Sequence, residues 1–417
     1  FQADDGIRDC LLSRGLGDVY KRQVCIDASA GYYASAGGMF QNECPVGSYQ
    51  SLTGQGSCDD ANAGYYVDST ASISQTACPA GTYNPNIAST SSSACIDVDA
   101  GYYTSSSGSA SQIACSLGTY QPTAGQTSCI DASAGYYVDL TASTTQTACA
   151  LGTYQPSIGQ FSCIDASAGY YVPSTASTTQ TACTTGTYQP NTGQSSCTDA
   201  STGYYVDSVA STTQTACAVG TYQPSTGQSS CIDASAGYYV GSAGSASQTP
   251  CAAGTYQPST GQSSCIDSSA GYYVDNTGST NQTACDLGTF QNQTGQSSCT
   301  DASAGYYVDT TASTTQTACA LGTYQPLTGQ SSCTDASAGY YVGTTGSTTQ
   351  TACSAGTYNP NTASSSSSAC TDASAGYYVG SAGSASQAPC AAGTYQPSTG
   401  QSSCIDSSAG YYVDNTG

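Results

Sequence analysis

The sequence predicts a tandem array of small disulfide-rich β repeats, pairs of β-hairpins strung into an extended rod or helical fibre with almost no α-helix. Three observations predict it. Cysteines recur at a fixed period, nearly every tyrosine sits at a fixed offset from them, and the aliphatic residues of an ordinary core are sparse. The 417 residues include 24 Cys, 47 Gly and 35 Tyr, one Met, no Trp and no His.

From Cys25 onward the cysteine steps alternate between 20 and 14 residues, a period of 34. The first step is 19, and the steps Cys78 to Cys95 and Cys353 to Cys370 are 17. Eleven repeats span 25–403 and a partial twelfth spans 404–417, so the chain is expected to be a piece of a longer array. Twelve Gly-Tyr-Tyr sites and ten Gly-Ser/Thr-Tyr sites hold every tyrosine except Tyr20, and Phe290 takes the place of an eleventh in the second set. Most repeats have two similar halves, and the unit reads as an internal duplication. The first half runs "CIDASAGYYV", as at Cys129 to Val138, with Gln three before the next cysteine; the second runs C-x2-G-T-Y-Q, again with Gln three before its closing cysteine.

Short segments rich in Thr, Tyr and Val between Ser-Thr-Gly or Ser-Ala-Gly read as short strands joined by turns. In the first half "AGYYV" should pair with "TTQTAC" across "DSTAS" or "GSAGS". In the second half "GTYQ" should pair with "QSSC" across "PSTG". No segment has capped helical periodicity. The three-residue insertions before Cys95 and Cys370 should bulge outward as loops. Four strands per repeat stacked at about 4.8 Å would give a rise of roughly 19 Å per repeat. A 34-residue unit this poor in apolar residues cannot fold alone, because chains below about 40 residues generally need crosslinks, metals or association. Neighbour stacking and disulfides must supply the difference. The regular cysteine spacing, with no C-x-x-C pair, argues for an oxidising, secreted setting rather than zinc binding or thiol redox chemistry.

All four basic residues, Arg8, Arg14, Lys21 and Arg22, lie in the first 23 positions, so the net charge of −22 belongs to the repeats. Such a surface repels nucleic acid and anionic lipid, and leaves cations, glycans or further copies of the array as partners. Residues 1–24 fall outside the repeat. They hold "DVYKRQ" at Asp18 to Gln23, which matches the translation of a transposon end used in sequencing libraries, and they read as an assembly artefact or as a propeptide cut after Lys21-Arg22. The sequence has no run of 18 apolar residues to span a membrane and no visible signal peptide.

The segment "CAAGTYQPSTGQSSC", Cys251 to Cys265, resembles the cysteine-rich repeat of Eph-receptor-like extracellular proteins, which is similar to the first small module of tumour-necrosis-factor-receptor domains. The resemblance covers Cys25 to the end and implies a fold more than a function. Where that family has a second cysteine in C-x2-C, this chain has Ala234, and Gln248 stands where the first cysteine of the next pair would fall. Both losses lie in one half, as if one disulfide had been removed whole. The resemblance therefore implies bridges across the short steps: Cys44 with Cys58, Cys78 with Cys95, Cys115 with Cys129, Cys149 with Cys163, Cys183 with Cys197, Cys217 with Cys231, Cys251 with Cys265, Cys285 with Cys299, Cys319 with Cys333, Cys353 with Cys370, and Cys390 with Cys404.

Catalysis is not expected, since His is absent, Lys is confined to the first segment, and no nucleophile has a base beside it. The Asp of C-x-D-A-S-A-G, such as Asp131, Asp165, Asp233 and Asp301, reads as an Asx-type turn cap. Calcium bound there, with Asp139 or Asp309 as second donors, is the one cofactor left open; otherwise none is expected. Adjacent tyrosines such as Tyr238 and Tyr239 should point to opposite faces, one packed inside and one outward or onto the next repeat. An outward row could alternatively stack on sugars or on another filament. Asn281-Gln-Thr283 and Asn292-Gln-Thr294 fit the N-glycosylation pattern. The whole reads as a secreted structural component of a fibre, self-associating and glycosylated. The alternative is the stalk of a receptor or adhesin that binds a ligand or glycan elsewhere.

Overall fold

In the computed structural model, residues 27–35 and 40–414 are described. The segment 1–24 and Cys25 lie outside them. The chain divides into two compact units, Phe1–Asp199 with Ser208–Thr213, and Ala200–Asp207 with Gln214–Gly417. Every strand among the described residues is two residues long, and the strands form 22 separate two-stranded antiparallel hairpins, ten in the first unit and twelve in the second. There is no α-helix among them. The four strands of a repeat do not merge into one ladder, so the premise behind a rise of roughly 19 Å fails.

Two hairpins alternate. In the GYY hairpin Tyr136 pairs with Ala148 and Tyr137 with Thr147, the pairing expected from sequence. In the GTY hairpin Thr153 pairs with Asp165 and Tyr154 with Ile164, beyond Cys163, so the expected partner "QSSC" is corrected to the Ile-Asp that follows it. The reason is the loop between the strands. Gln155 is buried and fills the loop with its own amide: Nε2 donates to the Ser162 carbonyl at 2.8 Å, and Oε1 accepts from the Ser157 N–H at 3.2 Å. The loop backbone is thus satisfied by a side chain, and the ladder forms one step further on.

Hairpins are joined by a recurring set of three backbone hydrogen bonds. In the first unit Gly135 N–H donates to Gln155 O (2.8 Å), Val138 N–H to Gln160 O (3.0 Å), and Gly159 N–H returns to Ala132 O (2.8 Å). The next step repeats the set, with Gly152 donating to Val172 O, Gln155 to Ser177 O, and Ala176 to Cys149 O. The second unit does the same from Gly237, Val240 and Gly261 onward. Equivalent positions such as Gly135, Gly152 and Gly169 therefore follow one another by half a repeat, and the two halves are structural copies.

The core of each unit is a column of small side chains. Ala132, Cys149, Ala166 and Cys183 have no exposed surface, and Val138, Gln155, Val172 and Gln189 form the buried row beside them. Close approach requires the GYY glycine. Gly135 has φ +84°, and a Cβ there would lie 2.2 Å from the backbone oxygen of Ala176 in the turn of the next GYY hairpin. That turn residue is left-handed too. It is Ala at 142, 176, 210 and 312, with φ 55–56°, and Gly at 244 and 278.

The insertions before Cys95 and Cys370 each form one turn of 3-10 helix, Ser92–Ala94 and Ser367–Ala369, with no buried residue. The ladders around them keep their register. Asn84 and Asn359 take the buried Gln position there, each donating to a tyrosine carbonyl and to a serine hydroxyl in its own loop.

Candidate functional site: stapled hairpins and tyrosine rows

Among the described residues eleven disulfides close the GTY hairpins and no cysteine is free. Cys149 to Cys163 is typical, with Cα atoms 5.8 Å apart and a sequence separation of 14. Cys78 to Cys95 and Cys353 to Cys370 span 17. The first cysteine of each bridge is buried, while the second, such as Cys163, is half-buried at the hairpin edge.

In the GYY hairpin the positions equivalent to a bridge hold alanine and glutamine, and the glutamine closes the hairpin instead. Gln248 Oε1 accepts a hydrogen bond from Ser235 N–H at 2.6 Å, beside buried Ala234. The same bond recurs in the other GYY hairpins whose strands pair, for example from Ser133 to Gln146 and from Ser303 to Gln316. At Asp99 it is doubled, because Gln112 Nε2 also donates to the Asp99 carboxylate at 2.8 Å. The array is thus held covalently in one half of each repeat and by an exposed side-chain hydrogen bond in the other. The sequence marked these glutamines as cysteine replacements and missed that they staple; their place two residues before the strand's end was the available signal.

The equivalence predicts that joint substitution Ala234→Cys and Gln248→Cys will form a further bridge without disturbing its neighbours. Cleavage by an aspartate-directed protease and non-reduced peptide mapping check it, trypsin being of no use because no Lys or Arg follows Arg22. Free thiols at both positions under oxidising conditions would refute the equivalence.

The Asp of C-x-D-A-S-A-G is not the turn cap expected. Asp131 is a strand residue paired with Thr119, and Asp165, Asp233 and Asp301 hold the same place. Each carboxylate packs over the turn glycine of the following GTY hairpin, as Asp131 does over Gly159 and Asp233 over Gly261. The cap falls to glutamine because a paired strand residue cannot turn its side chain back onto the loop. Asp139 and Asp309 are exposed at the GYY turns. Among the described residues no group of three or more acid or cysteine side chains lies close enough to hold a metal.

Neither tyrosine of a GYY pair is inside. Tyr238 and Tyr239 are both half-buried, and Val240, Ala234 and Cys251 fill the interior in their place. The interior column is too narrow for a phenol, since turn glycines and alanines meet across it. Tyr238 lies against the turn at Gly278, one repeat on. The second tyrosine stands opposite Thr, as Tyr137 does Thr147, or opposite Ile in the GTY hairpin, as Tyr154 does Ile164. Asn281 and Asn292 are both exposed.

Hairpin pairs of this kind, stapled in tandem, define a disulfide-rich repeat of extracellular type. A family model described as tyrosine-protein kinase ephrin type A/B receptor-like matches residues 101–149, 135–183 and 237–285. Each match starts at a GYY glycine and brackets a complete stapled hairpin, closed by Cys115–Cys129, Cys149–Cys163 or Cys251–Cys265. Over those residues the repeats are similar to the cysteine-rich repeats of that receptor family. No curated protein matches it. No helix among the described residues is long and apolar enough to cross a membrane.

Proposed function

We propose that this chain is a structural component of an extracellular fibre or cell-surface filament, secreted and glycosylated at Asn281 and Asn292, with its repeats associating along the fibre. The reading assigns it no enzymatic activity and no metal. The observation that carries it is the recurrence of one three-bond joint between successive hairpins within each unit. Equal modules joined by equal contacts are related by nearly one rotation and translation, and repetition of that operation generates a helix or a straight rod. Near-identity of the repeats supports it: 231–278 and 370–417 differ only at Ile232 against Thr371 and Thr249 against Ala388. A ligand site would need one repeat to differ from the rest, and a scaffold needs them alike.

Electron microscopy of the purified, oxidised chain tests the reading. Ordered filaments with a constant axial repeat are expected. Separate particles with variable bends, at any protein concentration, would overturn it and favour a receptor or adhesin stalk.

A further inference from the structure

We propose that the tyrosine hydroxyls are sites of oxidative coupling, through which separate copies of this chain become covalently joined by dityrosine. The inference deepens the fibre reading, and four observations lead to it.

The first is where the hydroxyls are. Among the described residues the tyrosines up to Tyr378 are half-buried, and Tyr395, Tyr411 and Tyr412 are exposed. No described tyrosine hydroxyl has a hydrogen-bond partner in the protein, and no buried side-chain oxygen or nitrogen lacks one. Together these place each phenol oxygen at the solvent boundary, on a ring held by its hairpin. The second is that the fold does not use the hydroxyl. Phe290 occupies the GTY tyrosine position, pairs with Thr300 as tyrosine does elsewhere, and is half-buried like its counterparts. The phenol is nonetheless present at every other such site in the repeats.

The third is chemical exclusivity. The repeats contain no Lys, Trp or His, and the described cysteines are all bridged. Lysine-based isopeptide or aldehyde crosslinks cannot form there. Among the described residues neither indole nor thiol competes for a one-electron oxidant, so a tyrosyl radical there has no better donor of these kinds to quench it. The fourth is that the hairpins keep tyrosines apart. In none of the 22 ladders does a tyrosine face a tyrosine: Tyr102 faces Ala114, Tyr120 faces Ile130, Tyr239 faces Thr249. The cross-strand route to coupling within a hairpin is closed, and the proposal takes the partners from the rims of two chains.

The oxidant is hydrogen peroxide acting through a haem peroxidase. Each of two phenols gives up one electron and one proton. The two phenoxyl radicals join Cε to Cε, and each ring then moves its displaced ring proton to oxygen and regains aromaticity. The peroxide takes up the two electrons and two protons and leaves as two waters.

The test exposes the full-length, disulfide-intact chain to a haem peroxidase and hydrogen peroxide, beside the same chain reduced and alkylated, at equal concentration. Dityrosine is measured after hydrolysis, and links are mapped on isotope-mixed chains, in which bridges between copies carry both labels and each bridge loses two hydrogens. In the intact chain most dityrosine is expected to join separate copies; in the alkylated chain most should lie within one. A variant with Tyr154 and Tyr188 changed to Phe, the replacement that Phe290 shows the fold accepts at the GTY position, should lose the links that map to those two residues. Dityrosine found mainly within single intact chains, or links between copies no more frequent than in the alkylated chain, would overturn the proposal. Ordered filaments that resist coupling would end this inference and leave the fibre reading standing; links between copies in material without filament order would do the reverse.

Discussion

Replacing Gly135 by alanine will break the joint between its hairpin and its neighbours, whereas the same change at Gly278 will be nearly silent. At Gly135 the new Cβ meets the backbone oxygen of Ala176 at 2.2 Å, with φ at +84°. Left-handed backbone strain costs about 1–3 kcal/mol for a non-glycine residue, and forcing an extra carbon into a packed interior costs about 1–3 kcal/mol more. Neither partner can yield cheaply, because both are main chain tied into the joint. At Gly278 the nearest atoms to a new Cβ are Pro250 Cβ and the Tyr238 hydroxyl, both 3.9 Å away. The equivalent turn residue is already alanine in several repeats, so the cost there is about 1 kcal/mol. Hydrogen exchange distinguishes the two. Gly135→Ala should lose protection at its own amide and at that of Ala176, and Gly278→Ala should keep it at the substituted position and its neighbours. Equal loss in both variants would mean that the close approach of the glycines does not hold the array.

Reduction will unfold the repeats, and chelation of divalent cations will leave them intact. A closed loop of about 15 residues restricts the unfolded chain by about 3 kcal/mol, and such a bridge occurs in every GTY hairpin with described cysteines. Against that, the interior offers little beyond Ala, Val, Cys and amide side chains, and two-stranded hairpins are marginal alone in water. With the bridges cut, the glutamine staples remain, but they are exposed side-chain hydrogen bonds of about 0.5–1.5 kcal/mol each. Far-ultraviolet circular dichroism and hydrodynamic radius, measured in reductant and separately in chelator, check both halves of the expectation. A compact, protected state surviving full reduction would show that stacking alone suffices. Collapse in chelator would make the Asp131 series metal ligands rather than strand residues.

The repeat period and the presence of two hairpins per repeat were legible in the residues, because cysteine and tyrosine spacing records them directly, and the absence of α-helix among the described residues matched the lack of capped helical periodicity. The GYY pairing was legible too, where "TTQTAC" offers one β-prone segment. The GTY pairing was not legible. Its strands are two residues long, Thr153–Tyr154 against Ile164–Asp165, and alternation over two positions carries no phase, so either side of Cys163 was an equal candidate. The choice rests on Gln155, whose amide reaches the Ser162 carbonyl only once the loop has closed.

The tyrosines teach the same lesson from the other side. Strand geometry says that Tyr238 and Tyr239 point to opposite faces, and from that one face was expected to be interior. Interior and exterior are set instead by how closely neighbouring backbones approach, and here Gly135 and Ala176 meet so tightly that only small side chains or a folded-back amide fit between hairpins. By itself the sequence determined a chain of duplicated, half-stapled modules, since covalent spacing and turn chemistry are local. The tertiary structure alone decided that glutamine closes the unstapled half, that aspartate lies in a strand over the next turn, and that the phenols stand at the water boundary, because each depends on a neighbour lying 13 to 41 residues along the chain.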